Sequence, residues 1–327
     1  MSHGCLPSKR RALGVISWTQ SAPRLILGTV ADPDRKNTWL FPMLAVMAAA
    51  LWACSEPSSP EPLFEQLHSL RSDVREKAAA KLILYGEAVV ERLIEESHSE
   101  FIRVRFEVAK LLGRMKDPRA TDTLIRMLGD DSFNVAQYAA WGLGELRAPS
   151  AVTELLPHLQ TPSKGFRAQV VTALGRCYND TIHADLRDTL TGIVTVQLKD
   201  PTPKVRIAAL QSARHLGYTG MSPALIRLSR DPSAEVRHVA VQALGQMGAG
   251  LVPRSKGPLS GQDRSNTVEA LVASLDEPYQ SIRTKAVRSI EQIGAPEATQ
   301  ALLRLHAEGT EEDQRETRRV LEGLGAS

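Results

Sequence analysis

The stretch Val104-Arg105-Phe106-Glu107-Val108-Ala109-Lys110-Leu111-Leu112-Gly113 decides the fold, because the chain keeps returning to its pattern. An apolar residue and an Arg are followed by two variable residues, two small apolar residues, one variable residue, then Ala-Leu-Gly or similar. Clear copies start at Phe166 (FRAQVVTALG), Val205 (VRIAALQSAR) and Val236 (VRHVAVQALG). Weaker ones start at Val74 (VREKAAAKLI), Val135 (VAQYAAWGLG), Ile282 (IRTKAVRSIE) and Gln314 (QRETRRVLEG). The eight anchors lie 30, 31, 31, 39, 31, 46 and 32 residues apart, a period that composition alone would not produce.

About twenty residues before most anchors stands a second apolar stretch, such as Ala120–Leu128 (ATDTLIRML), Ala151–Leu159 (AVTELLPHL) or Ala298–Leu305 (ATQALLRL). Both stretches place apolar residues at i, i+3, i+4 and i+7, the spacing of one helix face. The breaks Asp117-Pro118, Asp200-Pro201, Asp231-Pro232 and Glu277-Pro278 separate helices, since Pro fits a first turn but not a helix interior. Gly113, Gly175, Gly217, Gly248 and Gly294 suit the turn after each second helix. One helix pair cannot bury its apolar stripe alone, whereas eight stacked pairs share a continuous core. The low aromatic content, 5 %, also favours helix over a β-sandwich.

The pattern resembles HEAT repeats, of the short kind first named for phycobilisome lyases, over residues 63–327. The resemblance implies an all-α, right-handed α-α superhelix of about eight helix pairs, and implies almost nothing about function. It also implies that the second helix of each pair lines the concave face. The solvent side of that helix should carry the variable positions two, three and six residues after the anchor: Phe106, Glu107 and Lys110; Gln137, Tyr138 and Trp141; Ala168, Gln169 and Thr172; Ile207, Ala208 and Gln211; His238, Val239 and Gln242; Thr284, Lys285 and Arg288. The middle of the series is nearly uncharged. Phe106, Gln137, Tyr138, Trp141, Gln169, Gln211, His238 and Gln242 are therefore the candidate partner-binding residues, with Trp141 open to a second reading as packing between helices. The anchor Arg recurs as Arg75, Arg105, Arg167, Arg206, Arg237, Arg283 and Arg315, with Ala136 in its place in repeat three. Asp130, Asp200 and Asp231 each precede an anchor by five residues. The pattern is read as a ladder of Arg–carboxylate bonds between repeats rather than an anion-binding stripe.

The N-terminal part reads as an address. A short basic stretch at Arg35 and Lys36 leads into an apolar run from Thr38 to Ala53 that ends in small residues, the form of a secretory signal. At 16 residues, with Pro42 inside it, the run is short for a spanning helix. Leu51-Trp52-Ala53-Cys54 resembles the bacterial lipobox, which implies cleavage before Cys54 and acylation of it; Ser55 in place of Asp implies outer-membrane sorting. Residues 1–37 are then an extension and n-region, with initiation expected nearer Val30, and 38–54 are the apolar region and lipobox. Residues 55–62 (SEPSSPEP) form a flexible tether to the 63–327 solenoid. Cys177 then has no intramolecular partner and is expected as a small buried hydrophobe.

Two intervals are long. After Phe166 the excess gives an extended first helix within Asp185–Leu198. After Val236 it gives a Pro/Gly/Ser-rich loop, Leu251–Ser265.

These readings favour a non-enzymatic protein-interaction scaffold, lipid-anchored through Cys54 at the outer membrane and facing the periplasm. The runner-up is an enzyme or accessory subunit of the phycobilisome-lyase type, and the third reading is a structural part of an envelope assembly. The polar last unit, Glu311 to Arg319, suits a capping repeat and argues against end-to-end polymerisation. HEAT-like hydroxylases bind iron through His-Glu pairs, and no His-Glu dipeptide occurs here. His68, His98, His158, His183, His215, His238 and His306 show no metal-ligand spacing. The six basic and two acidic residues up to Cys54 leave a net charge of −1 on the remainder, so nucleic acid is not an expected partner. Gly142-Leu143-Gly144 lies within a helix without a preceding strand, and no Gly-x-Ser-x-Gly elbow is present. No cofactor and no metal site is expected.

Overall fold

The computed structural model describes residues 59–218, 220–252 and 257–325. Within them are sixteen α-helices in eight pairs and no strand. The pairs are α1 (Glu61–Leu67) with α2 (Ser72–Leu84), α3 (Val90–Glu96) with α4 (Ile102–Met115), α5 (Thr121–Met127) with α6 (Phe133–Leu146), and α7 (Ala151–Leu155) with α8 (Lys164–Cys177). They continue as α9 (Arg187–Gln197) with α10 (Pro203–His215), α11 (Ser222–Leu228) with α12 (Ala234–Gly248), α13 (Gly261–Ala273) with α14 (Gln280–Ile293), and α15 (Thr299–Glu308) with α16 (Glu311–Gly323). Each pair holds one expected anchor, so the all-α solenoid of eight repeats is the observed fold.

Five first helices have only five to seven residues, far below the length at which a helix is stable in water by itself. Burial holds them. The apolar stripes of all eight pairs merge into one core running from Leu63 to Leu321, with Leu82, Leu112, Leu143, Leu174, Leu210, Leu244 and Ile290 buried along its second helices.

Second helices stack directly on one another, and glycine governs how closely. The residue nine after the anchor meets the residue seven after the anchor of the next repeat. A methyl group on Gly113 would lie 2.7 Å from the Gly142 Cα, one on Gly144 3.3 Å from the Ala173 Cα, one on Gly175 2.6 Å from the Ser212 Cα, and one on Gly245 2.8 Å from the Ser289 Cα. These four interfaces are the tightly packed ones; where Ile83, Arg214 or Glu291 holds the same place, the second helices touch far less. Successive first helices barely touch, which makes the second-helix side the shorter side of the stack.

Gly113 and Gly175 thus sit inside helices, and Gly248 ends α12, contrary to the expectation that they form turns. Gly217 and Gly294 do take positive φ, 77° and 63°. After α4 and α6 the left-handed residue is Lys116 or Arg147 instead. The expected loop Leu251–Ser265 is shorter than read, because α13 begins at Gly261 and is nearly twice as long as α11. Pro253–Lys256 lie outside the described residues. The extended first helix of repeat five is present as α9. α1 begins at Glu61, so Glu61 and Pro62 belong to the solenoid and not to the tether.

The Arg ladder is also present. Arg105 Nε and Nη2 donate to Asp130 at 2.7 and 3.1 Å, and Arg167 donates to Asp200 at 3.1 and 3.4 Å. Arg206 reaches Asp231 at 2.7 Å, Arg237 reaches Glu277 at 2.8 and 2.9 Å, and Arg283 reaches Asp313 at 2.6 Å. The Nη1 of the same guanidinium donates to carbonyls six and often five residues back, as Arg206 does to Asp200 and Pro201. From Arg167 to Asp313 the chain of bonds is continuous, since each acidic residue receives one Arg on its carboxylate and the next on its carbonyl. Among the described residues Arg75 bonds the Ser69 and Leu70 carbonyls and Arg315 the Glu311 carbonyl, so neither is a rung between described repeats. The last rung ends on Asp313, which caps α16 in a reciprocal box with Thr310.

Two consequences can be measured. Gly245→Ala pushes a methyl against the α14 backbone and should cost about 1–3 kcal/mol in urea unfolding. Gly192→Ala, on an exposed part of α9 with nothing within 4 Å, should stabilise by about 0.5–1 kcal/mol. The second concerns pH. Burial raises the Asp130 and Asp313 carboxyls, but the hydrogen bonds from Arg105 and Arg283 outweigh it and hold both below their ordinary value. A carboxyl lowered in the folded state stabilises fully above its unfolded pKa of about 3.9 and loses that contribution as pH falls further. The urea midpoint should hold down to about pH 4 and fall below it, with a shallower fall in Asp313→Asn.

Candidate protein-binding face

The even-numbered helices present their variable positions on the shorter side of the stack. Glu107 and Ala208 depart from the expectation, because both are buried. Phe106, Gln137, Tyr138, Trp141, Gln169, His238 and Gln242 are half-buried, and Gln211 is exposed.

The structure brings three of these together. The Phe106 ring on α4 meets Tyr138 on α6 edge-on at 4.8 Å, and Tyr138 meets Trp141 edge-on at 6.1 Å. Such T-shaped pairs are favoured by the ring quadrupoles. The Lys110 ammonium lies 5.1 Å from the Phe106 centroid and 6.0 Å from that of Tyr138, while bonding Glu107 at 2.9 Å. Trp141 also covers Gly113: a methyl there would lie 2.7 Å from Trp141 Cζ3. The indole therefore packs on α4 with one side, as the packing reading expects, and leaves the other half-open. Neither Tyr138 nor Trp141 makes a hydrogen bond within the described residues.

Gln137, Gln169, Gln211 and Gln242 continue the row along α6, α8, α10 and α12. None has a hydrogen-bond partner among the described residues, although Gln137 packs against Gly165. They are amide donors and acceptors open to a partner. They do not touch the aromatic cluster except through Gln137, its neighbour in sequence.

His238 lies apart from the cluster, in a mostly apolar groove of about 430 Å³ lined by Ile207, Ala234, Val239, Tyr279 and Ile282, with Glu235 and Ser281 as its polar members. Burial and then the positive Lys285 push its pKa below the ordinary value, so the ring is neutral at neutral pH. The groove lies along the first half of α12, between Ile207 of α10 and the start of α14. Sequence reasoning missed it, because its lining comes from three successive repeats.

Among the described residues no group of three or more His, Cys, Asp or Glu is placed to hold a metal ion, and no helix is long and apolar enough to cross a membrane. Cys54 lies outside the described residues. Cys177 is buried, donates to the Leu143 carbonyl at 3.3 Å, and burial pushes its thiol up to about 12. Its alkylation at neutral pH should therefore proceed only through unfolding. Iodoacetamide labelling followed by mass spectrometry should show Cys177 protected in buffer and modified in urea.

The sequence matches the family described as HEAT repeats over residues 60–135, 126–195 and 193–262. No curated protein matches it. Among solved structures, an engineered protein is similar at 19 % identity and a TM-score of 0.51, covering 81 % of this chain and 78 % of that one. Escherichia coli YibA is similar at 14 % identity and a TM-score of 0.50, covering 83 % of this chain and 98 % of that one. The complex of CpcE and CpcF of phycocyanin lyase from Nostoc sp. PCC7120 gives 18 % identity and a TM-score of 0.45, covering 83 % and 96 %. At such identities the likeness is one of fold.

Proposed function

The chain belongs to the HEAT-repeat family, and on that premise we propose that it is a non-catalytic interaction scaffold, lipid-anchored through Cys54 in the bacterial cell envelope. Its partner is a protein that lies along the even-numbered helices. The observation that carries this reading is the half-open Phe106–Tyr138–Trp141 cluster continued by a row of unpartnered Gln amides. Aromatic anchors flanked by adaptable polar groups supply both the apolar burial and the hydrogen bonds of a protein interface. An unpaired surface amide costs nothing while water solvates it. It gains when a partner's backbone replaces that water.

The lipobox at Leu51–Cys54 and the tether after it support the envelope address, with Ser55 favouring the outer membrane. The near-neutral body and its mixed charges support a protein partner over a nucleic acid.

The test combines capture and address. With a photo-crosslinker at Gln169, the wild type should give a discrete crosslinked protein in envelope fractions. Trp141→Ala should abolish it. Because Trp141 also packs on Gly113, the exposed change Gln211→Glu is the cleaner variant and should weaken capture about tenfold with unchanged thermal unfolding. Unaltered crosslinking in both variants would remove this face from consideration. Fatty-acid labelling that disappears in Cys54→Ala would establish the anchor.

A further inference from the structure

We infer that a second surface, the edge formed by the turns between first and second helices in repeats one to three, inserts into the lipid surface beside the anchor. The inference rests on the lipid-anchor reading above, but it is carried by a different set of residues. Leu70 is 83 % exposed, Ile102 and Phe133 are 49 % exposed, and Phe101 is 38 % exposed. Leu70 lies four residues before its anchor, Phe101 three, and Ile102 and Phe133 two, all at the turn into the second helix. Successive turns lie side by side along the stack: the Phe101 ring meets His68 of the previous turn at 5.9 Å, and Arg103 Nε donates to the His68 carbonyl at 3.3 Å. Phe101 packs against His68 and Phe133 against Phe166, yet all four side chains keep a large share of their apolar surface in water.

The apolar character is interrupted after repeat three. The corresponding positions in repeats four to six are Ser163 and Lys164, Thr202 and Pro203, and Ser233 and Ala234. Repeat seven has the single residue Tyr279, 54 % exposed and lying over Arg237, so four of the five exposed large apolar residues of this edge fall in repeats one to three. The sticky part of the edge is thus the part nearest the tether. Six residues lie between Cys54 and Glu61, seven chain steps with a reach of at most roughly 25 Å. Helix α1 sets the Leu70 turn about 10 Å from its own start. Acyl chains on Cys54 and the side chains of Leu70, Phe101, Ile102 and Phe133 can therefore enter one bilayer surface together.

Charge points to apolar insertion rather than attraction to anionic headgroups. Arg71 is paired with Asp73 at 2.7 Å, Asp131 with Arg105 at 2.5 Å, and Arg103 lies over the Phe101 ring at 4.4 Å while Glu100 stays exposed. Cations and carboxylates balance along the edge. Zwitterionic phosphatidylcholine, with no net charge, should consequently suffice as the lipid. Insertion also orients the solenoid, setting the turn edge on the membrane and leaving the even-helix face open to the periplasm.

The experiment places Trp at the edge in the full chain, as Ile102→Trp and Phe133→Trp, with Leu84→Trp as control. Leu84 is 81 % exposed at the other end of α2, about 20 Å away. Vesicles of phosphatidylcholine brominated in its acyl chains should quench the two edge variants about threefold more than the control, each read as the difference from the unsubstituted chain. In the Cys54→Ala background, Leu70→Ser and Phe133→Ser should each weaken vesicle partitioning by about tenfold. Equal or absent quenching at all three positions overturns the inference, as does a photo-crosslinker at Ile102 that captures a protein in place of lipid. The mass of the N-terminal peptide reads acylation separately. Edge quenching without acylation keeps the edge and rejects the anchor; acylation without edge quenching rejects the edge.

Discussion

The closest approach in the molecule sets its architecture. Where glycine stands nine residues after the anchor and a small residue stands seven after the next, two second helices meet nearly backbone to backbone. A side chain at either place would hold them apart. The contact recurs at Gly113–Gly142, Gly144–Ala173, Gly175–Ser212 and Gly245–Ser289, so the second-helix side is drawn together while the short first helices remain separated. That difference gives the stack an inner face, and the candidate binding residues are the ones it brings to that face. The gaps in the series are equally structural. At Arg214 the close contact is lost, and α10 and α12 pack more loosely.

The Arg ladder works at a different level. It buries ionised carboxylates, and desolvation makes such pairs an uncertain source of net stability. Its geometry supplies specificity: one guanidinium binds carbonyls of its own turn and the carboxylate of the next repeat, so the angle between neighbouring repeats is set by hydrogen-bond direction as well as by packing. Apolar packing between short helices has no such directionality.

The period of the anchors made the helix pairs, their number and the ladder visible in the sequence, because each is a property of a single repeat or of its immediate neighbour. Glycine was the misread residue. Gly113, Gly175 and Gly248 stand near helix ends, where a turn is the ordinary reason for glycine, but their role is set by Gly142, Ser212 and Ile293 in other repeats. Correlating the ninth position of one repeat with the seventh of the next would have found it; a reading within one repeat could not. Glu107 was misplaced for a similar reason. Its position is outward in the repeat pattern, but Lys110 folds over the aromatic rings and holds the carboxylate beneath it. The turn-tip residues Leu70, Ile102 and Phe133 lie outside the periodic core pattern, so only their measured exposure distinguishes them.

Between Arg105 and Asp313 the ladder is interrupted on the helix that carries the aromatic cluster. Ala136 replaces the anchor Arg at the start of α6, and Thr161 replaces the acidic partner that it would have met. Either change alone would leave a buried charge unpaired, at a cost of several kcal/mol; together they remove the rung cleanly. A second tie stands at the other end of the same helix, where Glu145 bonds Lys116 at 2.9 Å and also Arg176, joining repeats two, three and four. Bonds from Lys116 hold the Glu145 carboxyl below its ordinary value despite burial, with Arg176 adding to the effect. Charge has been moved from the beginning of α6 to its end, away from Gln137, Tyr138 and Trp141. A face that must shed water to bind gains from having no fixed guanidinium beside it, since desolvating such a group would oppose the contact.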